Sequence, residues 1–245
     1  MTDTDPDSDP WERHAQWWQD KFTDGVDAEY EEQILPIVEG YLGGYGRVLD
    51  IGTGEGQVAR RLARAGAGPI VGLDPTMGQL HAAVARGGGV HYARASAERL
   101  PVATASMDAV VACLVFEHLP DHVAPLREVA RVLRPGGRFV WCLNHPLLQT
   151  PGSGWIDDHI LEEQYWRVGA YLDDDISLEE LEPGVVLPFV HRPLGRYVNT
   201  MIESGLTLTR MDEPAPPPGF LARAPEYLAA ASIPRLLVLV AERTG

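Results

Sequence analysis

Apolar runs of strand length alternate with segments of helical period over the first half of the chain. Val48 to Ile51 is a mostly apolar tetrapeptide, and similar runs predict further strands at 69–74, 90–95, 107–113 and 138–143. Between these runs, apolar residues recur at helical spacing, as at Val58, Leu62 and Ala65. This alternation predicts a doubly wound α/β fold, in which a mostly parallel sheet is covered by helices on both faces.

The N-terminal region follows a different pattern. Residues 1–10 are mostly Asp, Ser, Thr and Pro, which predicts a disordered tail. Trp11, Trp18 and Phe22 then share one face of a predicted helix, so 11–42 is interpreted as an N-terminal helical segment. Its aromatic side chains either pack against the body of the protein or form a lid over a ligand pocket.

The pattern changes again after the fifth predicted strand. Residues 147–193 are irregular and rich in Gly, Pro, aromatic residues and clustered acids, and such a long insertion is interpreted as a ligand-binding cap. Beyond it, a helix and strands at 206–211 and 235–241 are predicted. The expected single domain 11–245 thus consists of the helical segment 11–42, a core formed by 43–146 and 194–245, and the cap 147–193.

Three glycines, at positions 52, 54 and 56, follow the first predicted strand. A strand, a glycine-rich turn and a helix together indicate a nucleotide-type ligand that approaches the backbone closely. Gln57 stands where dinucleotide-binding proteins carry their third glycine, and no Lys-Ser or Lys-Thr pair follows, so neither a dinucleotide site nor a P-loop is predicted. Asp50 and Glu55 flank the turn, where they would repel a diphosphate and favour a ligand with a cationic centre.

The turn Asp50-Ile51-Gly52-Thr53-Gly54-Glu55-Gly56 resembles motif I of the class I S-adenosylmethionine (SAM) methyltransferases. Asp74 lies about 20 residues beyond the glycines, where such sheets present an acid to a ribose hydroxyl, although a helix N-cap is an alternative role. Ser96 to Pro101 resembles the stretch that closes over adenine in this family, with Ser96 in place of the usual Asp, and Leu133 to Gly137 resembles a further hallmark. The cofactor-binding residues that follow are Asp50, Gly52, Thr53, Gly54, Gly56, Gln57, Asp74, Pro75, Ser96, Ala97, Glu98 and Cys113.

The resemblance implies both a fold and an activity. The fold is a seven-stranded, mostly parallel, Rossmann-like sheet whose last strand is antiparallel. The activity is in-line methyl transfer from SAM to an oxygen or nitrogen of a small-molecule acceptor. A C-methyltransferase of a small metabolite, a non-catalytic SAM-binding module and, on fold alone, an oxidoreductase are the alternatives.

Three histidines are candidate general bases, because imidazole accepts protons near neutral pH. His145 follows the fifth predicted strand and ranks first, His118 follows the fourth strand, and His191 follows the cap. Each of them has packing or capping as its alternative role. Contacts to the acceptor are expected from Trp18, Phe22, Asn144, Tyr165, His191 and Arg192.

Composition narrows the possible partners. A formal net charge of −15 argues against a sequence-independent nucleic-acid binder, which needs a basic surface. The two cysteines, Cys113 and Cys142, lie in apolar runs and suggest neither a disulfide framework nor a metal site. With no signal segment and no apolar run long enough to span a bilayer, a cytoplasmic monomer or homodimer without membrane contact is expected.

Overall fold

The computed structural model describes residues 9–223 and 230–245. Most of the expected disordered tail, 1–10, therefore lies outside the described residues. Its last two residues, Asp9 and Pro10, form the start of the first helix. Asp9 accepts a hydrogen bond from the N–H of Trp11 (3.0 Å) and caps the first helix, which begins at Pro10. Proline suits this position because the N–H it lacks would have no partner in the first turn.

The described residues form eleven strands and eight α-helices. The strands are β1 (Val48–Ile51), β2 (Ile70–Asp74), β3 (His91–Arg94), β4 (Met107–Cys113), β5 (Leu133–Asn144), β6 (Gly154–Asp158), β7 (Glu163–Arg167), β8 (Asp175–Glu182), β9 (Val185–His191), β10 (Leu206–Asp212) and β11 (Leu236–Arg243). The helices are α1 (Pro10–Arg13), α2 (Ala15–Phe22), α3 (Leu35–Leu42), α4 (Gln57–Arg64), α5 (Met77–Arg86), α6 (Val123–Val132), α7 (Leu194–Glu203) and α8 (Pro218–Leu221). Tyr30–Ile34 is a π-helical turn that leads into α3, while Phe116–His118 and Ala230–Ser232 are 3₁₀ turns. In the part of the chain that is described, no helix is both long and apolar enough to cross a bilayer.

Seven strands form one sheet in the order β10-β11-β5-β4-β1-β2-β3. β11 runs antiparallel to both of its neighbours, and the remaining pairs are parallel. This topology confirms the predicted mostly parallel sheet with an antiparallel last strand. The chain builds outward from β1 to β3 and then continues with β4 on the other side of β1, so the strand order reverses between β1 and β4.

The fifth strand begins earlier than predicted. The segment 133–137, expected to be a turn, belongs to β5: Leu133 pairs with Met107, and the register then shifts so that Arg138 pairs with Ala109. Gly136 adopts a positive φ of 73° within this irregularity, which allows the extra residues to bulge out of the ladder. β3 is shorter than predicted by one residue at each end.

Successive core residues of the central strands point to opposite faces of the sheet, and both faces are covered. On β4 and β5, Val110 and Trp141 pack with the residues of α6 and α7. Val111 and Cys142 face the other side and pack with α3 and α4. Because neither face of these strands meets water over 109–113 and 139–143, the sequence is continuously apolar there, which is why the apolar runs located these parts of β4 and β5.

The segment 147–193 contains two antiparallel hairpins, β6–β7 and β8–β9, each separate from the main sheet. In the second hairpin, Leu187 and Phe189 are buried, whereas Ile176 and Leu178 lie on the opposite face and are 60% and 73% exposed. In β8 the solvent-facing positions are apolar and acidic residues alternate with them. The sequence therefore lacks the usual pattern of apolar buried and polar exposed positions that predicts a strand. The segment was therefore predicted to be irregular.

Candidate functional site

A cleft opens at the carboxyl ends of β1, β2 and β4, where the strand order reverses. Open α/β sheets bind their ligands at this position. The expected cofactor residues that line the cleft are Asp50, Gly52, Thr53, Gly54, Gln57, Asp74, Pro75, Ser96, Ala97 and Cys113.

The glycine turn after β1 forms one wall of the cleft. Gly52 has a φ of 66°, and a Cβ at this position would lie 2.4 Å from Cγ2 of Val115, so both conformation and space require glycine. Gly56 has a φ of 85° and precedes α4, but it does not line the cleft. The turn therefore brings backbone close to the ligand space while directing the chain into the helix.

Asp50 and Glu55, the two acids of the turn, differ in their surroundings. Asp50 is buried and accepts a hydrogen bond from the hydroxyl of Thr53 (2.6 Å). Burial raises its pKa to about 7, opposed by this hydrogen bond and reinforced by the charge of Asp74. Glu55 also lines the cleft, but its carboxylate forms ion pairs with Arg60 (2.5 Å) and Arg86. Of the two acids in the turn, Asp50 is therefore the one without an ion-pair partner among the described residues, and it can interact with a cationic ligand. The sequence had suggested this role for both Asp50 and Glu55.

Asp74, at the end of β2, ties two loops of the cleft together. Its carboxylate accepts hydrogen bonds from the N–H groups of Gly54 and Thr76, each at 2.8 Å. The side chain of Thr76 also interacts with this carboxylate, which still has a lone pair for a further donor, such as a hydroxyl group. The first N–H groups of α5 are satisfied by another acid, Glu12, which accepts from Met77 (2.7 Å) and Gly78 (2.8 Å).

The stretch after β3 follows its expected position only in part. Ala95, Ser96 and Ala97 line the cleft, but Glu98 is exposed and does not. The hydroxyl of Ser96 accepts a hydrogen bond from the N–H of Glu98 (3.3 Å). This contact closes the turn and leaves the side chain of Glu98 in solvent.

The N-terminal helices cover the cleft. Trp11 and Trp18 line it, and Phe22 stacks on Trp18 at 4.3 Å between ring centroids without lining the cleft itself. The rings of Trp11 and His118 meet edge to face at 4.5 Å. Phe22 was proposed from the sequence as an acceptor contact. In the structure it instead packs against Trp18, which lines the cleft.

His118 is the candidate base that lines the cleft. Its Nδ1 lies 2.9 Å from the carbonyl oxygen of Pro188 and must donate to it, because a carbonyl only accepts. Nε2 therefore carries the free lone pair. Burial lowers the pKa of His118 to about 4, so the imidazole is neutral at physiological pH. Phe189 packs against the ring at 4.6 Å.

His145, ranked first from the sequence, does not line the cleft. Its Nδ1 accepts a hydrogen bond from the N–H of Leu147 (3.1 Å), and its Nε2 donates to Glu213 (2.8 Å). Both ring nitrogens are thus occupied within the protein. The neighbouring Asn144 donates from its backbone N–H and its amide to Oε1 of Glu117 (3.0 and 2.9 Å), so it too serves a structural contact.

The three acceptor contacts proposed in and after the cap also lie outside the cleft lining. Nε2 of His191 donates to the carbonyl of Tyr171 (2.9 Å), and Arg192 is buried against backbone carbonyls. Tyr165 lies on the separate hairpin β6–β7 and is 46% exposed. The fold of the two hairpins determines which side chains of the cap face the cleft. The sequence contained no signal for the fold of these hairpins.

Several lining residues were not identified from the sequence. Tyr30 is buried at the start of the π-helical turn, and Leu114 follows β4 with a φ of 54°. Gln79 on α5 also lines the cleft. Leu114 directly follows the predicted fourth strand, so its position at the edge of the sheet was a signal in the sequence. A π-helical turn, which often occurs at a functional site, was not recognisable from the local sequence.

Cys113 lines the cleft but is not suited to nucleophilic chemistry. The adjacent Cys142 and burial hold the pKa of its thiol well above the usual value, so it stays protonated. No cluster of three or more potential metal ligands occurs within residues 9–223 and 230–245.

Known proteins resemble the chain in sequence and in structure. The profile of a family described as "Methyltransferase domain" matches residues 49–141. The "Ubiquinone/menaquinone biosynthesis C-methyltransferase UbiE" of Syntrophotalea carbinolica is 35% identical over 195 residues, which cover 76% of this chain and 78% of that protein. The "O-methyltransferase resE" of Aspergillus sclerotiorum is 29% identical over 185 residues, covering 65% and 70% respectively. The crystal structure of an S-adenosylmethionine-dependent methyltransferase from Mesorhizobium loti superimposes with a TM-score of 0.76 at 28% identity, covering 90% of this chain and 99% of that one.

Proposed function

Because the chain belongs to the class I SAM-dependent methyltransferases, we propose that it methylates a flat small molecule whose hydroxyl group is oriented by His118. Family membership makes the protein an enzyme with SAM as its cofactor, which sets aside the oxidoreductase and the non-catalytic module. The observation that carries the proposal is the free Nε2 of His118 in an otherwise largely apolar wall of the cleft.

The residues of the cleft fit SAM. Among the described residues, Asp50 is the acid of the turn that makes no ion pair and suits a cationic ligand, and the carboxylate of Asp74 can accept from a ribose hydroxyl. SAM supplies an electrophilic methyl group on a sulfonium leaving group. The contribution of the protein is alignment of the two reactants and exclusion of water.

The acceptor side of the cleft favours a neutral, flat molecule. Trp11, Trp18, Leu114 and Leu119 line the cleft together with His118, and aromatic walls suit flat apolar ligands. His118 is neutral, so its Nε2 accepts a hydrogen bond from an acceptor hydroxyl and takes up the proton as the oxygen attacks.

An ammonium acceptor suits this site poorly. The acids that line the cleft are Asp50, Asp74 and Glu55, and the first two belong to the proposed cofactor side. Glu55 is neutralised by two arginines. A cationic amine beside His118 would therefore be desolvated without a counter-charge, which is costly. Of the oxygen and nitrogen acceptors expected from the sequence, we favour oxygen.

Methylation at carbon is the second candidate function. It is supported by the 35% identical relative that is named a C-methyltransferase. The same contact from His118 serves both reactions, because withdrawing the proton from a phenol or enol increases electron density on the adjacent carbon as well as on oxygen. The two candidates therefore share the acceptor class and differ in the atom that receives the methyl group.

Helices α1 and α2 act in this proposal as a lid that closes over the bound reactants. Glu12 fastens α1 to the N-terminus of α5, and Trp11 and Trp18 form the inner surface of the lid. On the other side, Trp17 and Lys21 both contact Glu182 of β8, at 3.0 and 2.7 Å. The N-terminal segment thus bridges the proposed cofactor side and the second hairpin.

A matched acceptor panel tests the proposed reaction. The enzyme and SAM are incubated with phenols of one to three fused rings, the corresponding aryl methyl ethers and the corresponding arylmethylamines, which are ammonium ions at neutral pH. We expect a product one methyl group heavier with at least one phenol, none with its ether, and at least about tenfold slower turnover with its arylmethylamine, because the ammonium group would be desolvated beside His118 without a counter-charge. Mass spectrometry detects the product, and NMR distinguishes a methoxy group from a ring methyl.

Equal turnover of the phenol and the arylmethylamine would contradict the assignment of a hydroxyl acceptor. So would a complete absence of product across the panel from enzyme that binds S-adenosylhomocysteine normally. A ring methyl in place of a methoxy group would select the second candidate and retain the role of His118.

The pKa of Asp50 gives a separate prediction for cofactor binding. A carboxyl with a pKa raised to about 7 is largely protonated at pH 6 and ionised at pH 8, and a cationic ligand prefers the ionised form. Affinity for SAM should therefore rise several-fold from pH 6 to pH 8, with proton release on binding at pH 7. Calorimetry in two buffers of different ionisation enthalpy measures that proton. The Asp50→Asn variant should bind more weakly and without proton release, and a proton release equal to that of the wild type would contradict the assignment.

A further inference from the structure

The short segment that carries His118 is fixed to the protein by a buried arginine from outside the cleft. Arg192 is 4% exposed, and its guanidinium donates to the backbone carbonyls of Phe116 (3.4 Å), Leu119 (2.8 Å) and Pro120 (2.6 Å). These three carbonyls bracket His118 along the chain. The guanidinium therefore holds the main chain on both sides of the proposed base.

The way the charge of Arg192 is accommodated points to a positioning role. Among the described residues it makes no ion pair with a carboxylate within 4.0 Å, and it is held by the three carbonyls and by the side chain of Tyr197. The ring of Tyr197 lies below the guanidinium at 5.8 Å. A buried charge is costly unless it is well hydrogen-bonded, and the planar fork of arginine can bind several acceptors at once, which the compact ammonium of lysine cannot do in the same way.

Two further contacts hold the same segment, and one comes from the same hairpin strand. Pro188 on β9 accepts the hydrogen bond from Nδ1 of His118, and β9 ends at His191, one residue before Arg192. In addition, the carboxyl group of Glu117 accepts two hydrogen bonds from Asn144 at the end of β5. The β8–β9 hairpin and the residue that follows it thus fix both the ring and the backbone of His118.

We propose that Arg192 is a positioning residue for His118, and that the β8–β9 hairpin serves to hold this histidine at the cleft. The inference rests on the proposed function, in which His118 receives the acceptor's proton. Arg192 does not line the cleft and acts only through the backbone of residues 116–120. Without it, three carbonyls lose their partner and the segment shifts, and a displacement of about 1 Å at a catalytic group can cost roughly 100-fold in rate.

The test compares Arg192→Ala and Arg192→Lys with Arg196→Ala. Arg196 is a matched control because it lies on the adjacent helix α7, is about half exposed and pairs with Asp174 at 3.1 Å. We expect kcat to fall about 10- to 100-fold in both Arg192 variants, with the Kd for S-adenosylhomocysteine within about threefold of wild type and no change for Arg196→Ala. Added guanidinium ion should restore part of the activity of Arg192→Ala and none of that of Arg192→Lys.

A second measurement does not depend on turnover. In protein labelled with ¹⁵N-histidine and saturated with S-adenosylhomocysteine, His118 should show a single tautomer with the proton on Nδ1, and both tautomers should appear in Arg192→Lys. This readout also serves if Arg192→Ala does not fold. An unchanged tautomer together with unchanged kcat in Arg192→Lys would overturn the inference. A loss of cofactor binding equal to the loss of kcat, without rescue by guanidinium, would also overturn it by showing a general structural role.

Failure of the proposed function can be distinguished from failure of the positioning role of Arg192. If wild-type enzyme methylates amines but no hydroxyl acceptor, the role of His118 is wrong, whatever the Arg192 variants do. If wild-type enzyme methylates a phenol and the Arg192 variants match it, only the positioning role is wrong.

Discussion

Replacing Asp74 with alanine should weaken binding of SAM and of S-adenosylhomocysteine at least about 100-fold. The carboxylate accepts two backbone N–H groups, from Gly54 on one loop of the cleft and from Thr76 on another. It is also the proposed partner of the ribose. Hydrogen bonds to charged groups contribute about 1.5–3 kcal/mol each, and about 1.4 kcal/mol corresponds to a tenfold change in affinity. The alanine removes the ribose contact directly, and it also frees the two loops that the carboxylate holds in place for the ligand. Both effects weaken binding, which isothermal titration calorimetry records.

Two variants separate the ligand contact from general stability. Asp74→Asn keeps one side-chain oxygen as an acceptor but loses the charge, so its affinity should fall between those of wild type and Asp74→Ala. Asp121→Ala is the matched control, because Asp121 also accepts a backbone N–H, that of Val123 at 2.7 Å, but does not line the cleft. Its affinity for the cofactor should be unchanged even if the melting temperature falls. An Asp74→Ala protein that binds within threefold of wild type would show that the ribose is held elsewhere.

Asp50 and Asp74 could be predicted because their positions are local features of the chain. An acid at the end of a buried strand points to the carboxyl edge of the sheet, and apolar patterning located these strands within a residue or two. The glycines between them are equally local, since a turn between strand and helix requires positive φ wherever it occurs. The fold and the proposed cofactor side of the cleft were therefore accessible from the sequence.

The acceptor side was less accessible because its geometry depends on distant contacts. His118 and His145 each follow a strand of the same sheet, and the sequence placed His145 first because nothing local to the two residues favours His118. Glu213, 68 residues away, occupies one ring nitrogen of His145, while Pro188, 70 residues away, leaves Nε2 of His118 free. The pattern of residues 147–193 did not predict the second hairpin. The hydrogen bond between Pro188 and His118 could therefore not be predicted either. Long-range contacts of this kind separate the two histidines only in the folded protein.

Replacing His118 with glutamine or phenylalanine should lower kcat about 100- to 1,000-fold, within the range that general acid–base groups contribute. Neither side chain can take up the acceptor's proton, although glutamine keeps a hydrogen-bonding group and phenylalanine keeps the ring that packs between Trp11 and Phe189. The Kd for S-adenosylhomocysteine should stay within about threefold of wild type. Single-turnover measurements with saturating SAM and the phenol identified from the panel isolate the chemical step.

His122→Gln is the matched control for this experiment. Burial lowers the pKa of His122 to about 4 as well, and its Nε2 is hydrogen-bonded to Thr200 at 3.0 Å outside the cleft. Its replacement should leave the chemical step unchanged. His145→Gln addresses the competing assignment: a large loss of kcat there, with His118→Gln close to wild type, would transfer the role of base to His145.

The pH profile provides the sharpest distinction for His118. A histidine with an ordinary pKa of about 6.5 would give a kcat that rises between pH 5.5 and 7.5 as the ring loses its proton. Burial lowers the pKa of His118 to about 4, so the ring is already neutral over this range and kcat should be flat on the acid side. Any fall in kcat/KM at low pH should instead follow Asp50, whose ionisation near pH 7 governs cofactor binding, and should disappear when SAM is saturating. If instead kcat of the wild type falls below about pH 6.5 and this fall is absent in His118→Gln, His118 is the base. Its imidazole is then more accessible to water than the structure indicates.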